Sequence, residues 1–294
     1  MPKKLSAFSL IEISIVLLII GILVAGVTQS SRLLAASRLQ TAQTITASSP
    51  VASITNLILW LEPTLDGNVT SSTSAANPED GDKVSSWNDN NPQLTAKTHL
   101  TQATDSMRPL YKTNILSGLP AIKFDGTNDY FAISNIVSQS YSVFAVIKTS
   151  VAGATGHAYL GKQIVTSEVA GVTNDIIPLA IGGGFVKTFT GNPDSTLTGS
   201  IPVSNNTTHI ICTTRNDSTG ARNIYVDGTA DGSDTARTGT LNANAFTTTG
   251  GDIVNNVYFD GYVGEIIIFD RVLKSEERLS VISYLGKKWS VTVN

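Results

Sequence analysis

The chain has 294 residues, of which 41% are hydrophobic and only 15% charged, and its formal net charge is −3. This is too apolar for a disordered chain, and there is no basic footprint for a phosphate backbone. The single cysteine, Cys212, excludes an intrachain disulfide.

Charge is unevenly placed. Between Leu5 and Ser53 the only charged residues are Glu12, Arg32 and Arg38. Ile13 to Ser31 carry no charge at all, which is long enough for a membrane span, and Lys3 and Lys4 precede it, placing the N-terminus on the cytoplasmic side. A secretory signal peptide cut after Val24-Ala25-Gly26 would have a similar beginning. Against that, Leu33, Leu34, Ala35, Ala36 and Leu39 continue the helical pattern, with no proline between Pro2 and Pro50. The spacing predicts one helix from Phe8 to about Ala47, roughly 60 Å long at 1.5 Å per residue, with only its first half in the bilayer.

The stretch KKLSA/FSLIEISIVLLIIGIL resembles the class III signal of type IV pilins and type II secretion pseudopilins. The resemblance implies that a prepilin peptidase removes residues 1–7 by cutting between Ala7 and Phe8, and that the new Phe8 amine is N-methylated. Glu12 then falls at the family's fifth mature position, which carries a glutamate. A carboxylate in an apolar layer needs a partner, and the Phe8 ammonium of a neighbouring subunit would supply one. Two features depart from the family. Ala7 stands where Gly is usual, and the run lacks the proline that many pilins carry.

Gln40–Ser53 is small, hydroxyl-rich and broken by Pro50, which makes residues 48–54 a linker. Asp66–Asp82 reads as a surface loop. Beyond it come short runs rich in β-branched and aromatic residues: Ile58–Glu62, Val84–Trp87, Ala121–Asp125, Tyr130–Ile133, Tyr141–Thr149, Ile176–Ile181, His209–Thr214, Asn223–Val226 and Val263–Phe269. Gly, Asn and Asp punctuate them, the habit of a large antiparallel sandwich. Cys212 is expected inside a strand, and Ile266–Phe269, apolar on both faces, in a central one. Near the end a helix is predicted, with Ser275 as its cap, Glu276 and Glu277 in the first turn, an apolar face of Leu279, Ile282 and Leu285, and Lys287 and Lys288 in the last turn.

The ordered set GLPAIKFDGTNDYFAI, YSVFAVIKTS, RNIYVDGTADGS and FDGYVGEIIIFDRVLKSEERLSVISYLGKKW resembles LamG-type, concanavalin A-like domains. It implies a two-sheet jelly roll over residues 55–294. The fold class expected is therefore mainly β: a long N-terminal helix, membrane-spanning in its first half (residues 8–47), then a concanavalin A-like sandwich with a short C-terminal helix.

Site chemistry is sparse. No Glu-x-Asp-x-x-Glu strand is present, Glu265 and Asp270 are an odd number of residues apart, and no Gly-x-Ser-x-Gly elbow occurs. Gly182-Gly183-Gly184 lacks the Lys-Ser/Thr of a phosphate loop and reads as a bulge or bend. No catalytic residue is assigned. Many LamG-like domains hold calcium at a loop rim, and Asp125, Asn128 and Asp129 are the residues with suitable oxygens, although the same residue types make ordinary turns. His99, His157 and His209 form no metal-spacing cluster. Trp87 with Asn88, Asp89, Asn90 and Asn91 could stack on a sugar, but core placement is favoured, as it is for Trp60 and Trp289.

The reading is a non-enzymatic filament subunit, a major or minor pilin with a lectin-like head, suited to adhesion or carbohydrate binding. Its rivals are a pseudopilin of a secretion or DNA-uptake machine and, disfavoured, a membrane-anchored glycan-processing enzyme. The partners expected are prepilin peptidase, other copies or other pilins, the inner membrane before assembly and a glycan. No nucleic acid is expected for the head, and no cofactor unless calcium. The chain is expected in the inner membrane and then in an extracellular pilus or periplasmic pseudopilus.

Overall fold

The weakly charged N-terminal run is one helix, α1 (Leu10–Ala47), in the computed structural model of the chain, which describes residues 9–73, 78–153, 162–166, 176–190, 195–236, 238 and 245–294. Nineteen strands follow among these residues. They are β1 (Leu57–Leu61), β2 (Val69–Ser71), β3 (Val84–Trp87), β4 (Leu100–Thr101), β5 (Leu110–Leu116), β6 (Leu119–Asp125), β7 (Phe131–Val137), β8 (Tyr141–Lys148), β9 (Lys162–Thr166) and β10 (Ile176–Gly182). Then come β11 (Phe185–Thr190), β12 (Ser195–Pro202), β13 (Thr208–Arg215), β14 (Ala221–Val226), β15 (Thr229–Thr235), β16 (Ala245–Thr249), β17 (Gly251–Asp252), β18 (Val257–Tyr258) and β19 (Asp260–Phe269). A closing helix, α2, spans Ser275–Trp289.

Apart from β17 and β18, which pair with each other, the strands form two large antiparallel sheets. One runs β15-β14-β13-β8-β19-β6-β5, with β1 also on β19; the other runs β12-β11-β10-β9-β16-β7-β4-β3-β2. β19 takes β6 beside Asp260–Val263 and β1 beside Ile266–Phe269, while β8 lines its other edge. Facing pairs of φ-positive residues, Ser117-Gly118, Gly183-Gly184 and Asp227-Gly228, turn three of the hairpins. Two positive φ values in a two-residue loop match the right-handed twist of the strands. Gly183-Gly184 is therefore a hairpin turn after Gly182, the last residue of β10, and the expected bulge or bend is corrected.

Period-two alternation divides the buried residues into two cores. Val143, Ala145 and Ile147 of β8, Ile266 and Ile268 of β19 and Ile211 of β13 point between the sheets. Phe144, Val146, Ile267, Phe269, Ile210 and Cys212 point the other way, under α2 and the end of α1. Burial on both faces explains why these strands read as unbroken apolar runs. Trp87 is fully buried in the first core, 6.3 Å from Phe131, so it is core and offers no sugar-stacking face.

Several expectations need correction. Ser275 is the first helical residue, not the cap. Lys274 holds the capping position, and its backbone N–H donates to Glu277 at 2.9 Å. Leu279 is 46% exposed, and the buried face is Val281, Ile282, Tyr284, Leu285, Lys288 and Trp289. Lys287 and Lys288 lie in the last turn, as expected, and Lys288 is buried there. The Asp66–Asp82 loop contains β2, held in the sheet by β3.

Candidate functional site

From Leu10 to Arg38 the described side chains of α1 are exposed, and residues such as Ile15, Leu17, Ile20, Leu23, Val27 and Leu33 each leave half or more of their surface uncovered. The helix is about 57 Å long, enough to cross about 30 Å of hydrocarbon and continue beyond it. Ser9 caps it: its Oγ accepts from Ile11 N at 3.3 Å, and Glu12 Oε2 accepts from Ser9 N at 2.8 Å. Glu12 therefore satisfies the N-terminus of its own helix, one residue from Phe8. Ala7 and Phe8, the residues expected to flank the cut, lie outside the described residues.

Among the described residues, it is the last turns of α1 that pack on the sandwich. Ala42 and Thr46, four residues apart and so on one face, are buried. Gln43 Nε2 donates to Thr64 O at 2.9 Å. At the β5–β6 turn the Arg38 side chain lies over Gly118, whose positive φ of 85° favours glycine there. A cleft of about 550 Å³ opens beside this contact, lined by Arg38, Thr41, Ile45, Ser117, Lys287 and Ser290 among others.

Behind the junction lies a buried charged group that sequence reasoning missed. Glu62, Glu265 and Lys288 have fully buried side chains. Lys288 Nζ donates to Glu62 Oε1 and, at 3.0 Å, to Glu265 Oε2. Glu265 also accepts from Trp60 Nε1 at 2.7 Å, Tyr284 OH at 2.7 Å and Trp289 Nε1 at 2.9 Å. Glu62 accepts from Thr64 N at 2.8 Å, the Thr64 hydroxyl and Leu65 N at 2.9 Å. Burial, then the negative charges of Glu265 and Glu62, push the Tyr284 phenol well above its ordinary value. The signal for Lys288 was its place three residues after Leu285, on the buried face of α2. For Glu265 it was the surrounding apolar run.

Asp125, Asn128 and Asp129 are brought together, as a capped turn. Asp125 Oδ1 accepts from the backbone N–H groups of Thr127, Asn128 and Asp129 at 2.8, 3.1 and 3.3 Å, and Asp129 Oδ2 accepts from Asp125 N at 3.0 Å. A calcium ion would have to displace those donors from Asp125 Oδ1. Burial, helped by the Asp125 charge, raises Asp129 to about 6. Among the described residues no three His, Cys, Asp or Glu side chains converge as a metal set. His99 and His209 lie apart in the fold, and His157 lies outside the described residues. The Asn88–Asn91 stretch is partly structural: Asp89 Oδ1 accepts from Trp60 N and Asn91 N, both at 2.9 Å, and Asn91 Nδ2 donates to Leu57 O at 2.7 Å. Glu265 is buried under α2 and Asp270 is exposed beyond the end of β19, so the two do not share a cleft.

With the outward side of β8, β13 and β19 covered by the helices, the other sheet's outward face remains. Thr70, Ser86, Thr101, Ala132, Thr248 and Thr166 stand opposite one another across β2, β3, β4, β7, β16 and β9. Opposed residues share a face, so this is a row of small, mostly hydroxyl side chains. Thr101 and Ala132 are exposed, and Thr166 and Thr248 are buried.

Residues 125–277, just over half of the chain, match the family described as the Concanavalin A-like lectin/glucanases superfamily. The chain belongs to that superfamily. Solved structures agree on the fold. The Botulinum neurotoxin serotype D binding domain is similar with a TM-score of 0.50 and 17% identity, over 81% of this chain and 53% of that one. The binding domain of Paraclostridial Mosquitocidal Protein 1 gives 0.50 and 13%, over 79% of this chain and 52% of its own. The Ruminococcus gnavus IT-sialidase CBM40 bound to alpha2,3 sialyllactose gives 0.45 and 11%, over 55% of this chain and 95% of its own. The chain spans about half the length of the two binding domains it resembles. No curated protein matches the sequence. Membership of this superfamily defines the sandwich and leaves its chemistry to the residues, since one fold serves many functions.

Proposed function

We propose that this chain is a type IV pilin-like filament subunit, a membrane-inserted helix that assembles with its neighbours and displays a lectin-like head. One observation carries the reading. The described apolar side chains of α1 from Leu10 to Leu34 are exposed, while its final turns are fixed to the head. Such a surface needs lipid before assembly and other helices after it. The resemblance of FSLIE to the prepilin peptidase signal adds the route, a cut at Ala7/Phe8 and methylation of Phe8. In the filament Glu12 exchanges its own Ser9 N–H, or shares it, with the Phe8 ammonium of a neighbour.

For the head, the superfamily's lectin members support glycan binding, and the outward face of the nine-stranded sheet is where we place it. The face offers hydroxyls at Thr70, Ser86 and Thr101 for hydrogen bonding to a sugar. We assign the head no catalysis. The two buried carboxylates, Glu62 and Glu265, each already accept from Lys288 and from several other donors. Imaging sheared filaments with an antibody to the head tests assembly: labelling along or at the tip supports it, and recovery of the chain only in membranes contradicts it. A glycan array probed with the full chain in detergent tests the head. Binding lost in Thr101→Arg supports the assigned face, and binding unchanged by Thr101→Arg contradicts it.

A further inference from the structure

The most enclosed charges of the head are Glu62, at the end of β1, Glu265 on β19, and Lys288 on α2. We propose that Lys288 and Glu62 become joined by an intramolecular amide bond, with Glu265 carrying the proton. This inference does not rest on the filament reading.

Three features of the site favour condensation over a lasting ion pair. First, two carboxylates and one ammonium sit together without solvent, where burying charge is costly even when paired. Amide formation removes the ammonium and one carboxylate, releases water, and leaves the single negative charge on Glu265, where Trp60, Tyr284 and Trp289 still donate to it. Second, the reacting groups already touch, which removes the entropic cost of bringing them together. Third, Glu62 is held by Thr64 N–H at 2.8 Å on Oε1 and Leu65 N–H at 2.9 Å on Oε2. These backbone donors are fixed where charge would gather on the two oxygens in a tetrahedral intermediate. Trp60, Trp289 and Tyr284 wall the site and orient Glu265 through its remaining lone pairs.

The step balances. Lys288 passes one proton to Glu265 across their 3.0 Å hydrogen bond. The freed nitrogen lone pair forms the N–C bond to Glu62 Cδ, and a carbonyl π pair moves onto oxygen. One Glu62 oxygen then leaves as water, taking the proton returned by Glu265 and a second from the nitrogen. The ammonium and carboxylate become a neutral amide, Glu265 ends as it began, and no oxidant or reductant is needed. The bond would tie the first strand of the sandwich to its last helix, so that the head could not unravel from either end.

The test is peptide mapping by mass spectrometry of the full chain, purified from membranes in detergent. The expected result is one branched peptide containing Glu62 and Lys288, lighter than its two parts by one water, with trypsin failing to cut after Lys288. Glu265→Gln should yield the two peptides unlinked while circular dichroism still shows the folded sandwich. Unlinked Glu62 and Lys288 peptides from the unaltered chain overturn the proposal, whatever the variant does. A link that persists in Glu265→Gln overturns the role given to Glu265.

Discussion

Replacing Lys288 by Met should damage the head more than any single surface change. Lys288 is fully buried and is the cation shared by Glu62 and Glu265, whose side chains are also fully buried. Met fills much the same volume, so packing changes little and the effect is electrostatic. Removing one partner of a buried charged group costs about 3–5 kcal/mol, because the carboxylates left behind have neither water nor a counter-ion. In a domain of this size each kcal/mol lowers Tm by about 2–4 °C, so a fall of about 10 °C is expected. The loss arises whether Lys288 is an ammonium or an amide in the parent, since in either case Lys288→Met leaves two dry carboxylates. Thermal unfolding of the full chain in detergent, followed at the far-ultraviolet β-sheet signal, reads it. The triple variant Lys288→Met, Glu62→Gln, Glu265→Gln removes the stranded charge and should recover more than half of the loss. A Lys288→Met Tm within about 2 °C of the parent, or a triple variant no better than the single one, refutes the reasoning.

Asp129→Asn should stabilise the head above neutral pH. The carboxyl is raised to about 6 from 3.8, so the folded state holds the proton more tightly, and stability is lost as pH rises between those values. Two pKa units correspond to about 3 kcal/mol at most, and a gain of about 1–3 kcal/mol is expected. Unfolding in urea at pH 7.5 should show the gain, and at pH 3 the two chains should match. Glu12→Ala should leave the head's Tm unchanged, because Glu12 is exposed and bonded to Ser9 at its own helix end, yet abolish incorporation into filaments, read by counting labelled filaments. Leu285→Ser should cost about 3 kcal/mol and Leu279→Ser under about 0.5 kcal/mol, since the first is fully buried and the second 46% exposed.

The parts of the fold legible in the sequence were those where burial on two faces wrote long apolar runs: α1, β8, β13 and β19. Turns were legible where chemistry demands them, as at Asp227-Gly228. β12 and β15 were not legible, because STLTGSIP and TADGSDT are polar and glycine-containing, and pairing with a neighbour makes them strands. The helix–head junction escaped for a different reason. Glu62, Glu265 and Lys288 are 203 and 23 residues apart in sequence, and only the packing of β1, β19 and α2 gives the three charges one location. The Leu279 error came from taking every third residue as buried, whereas α2 rests on a face centred on Val281, Leu285 and Lys288.

The central claim, that a cleaved and methylated helix enters a filament, is tested most directly by mass spectrometry of the mature N-terminus from cells that make the peptidase. The account predicts that the chain starts at N-methylated Phe8, with residues 1–7 gone and the net charge moved from −3 to −5 by loss of Lys3 and Lys4. An intact leader, or a chain starting at Val27, contradicts it.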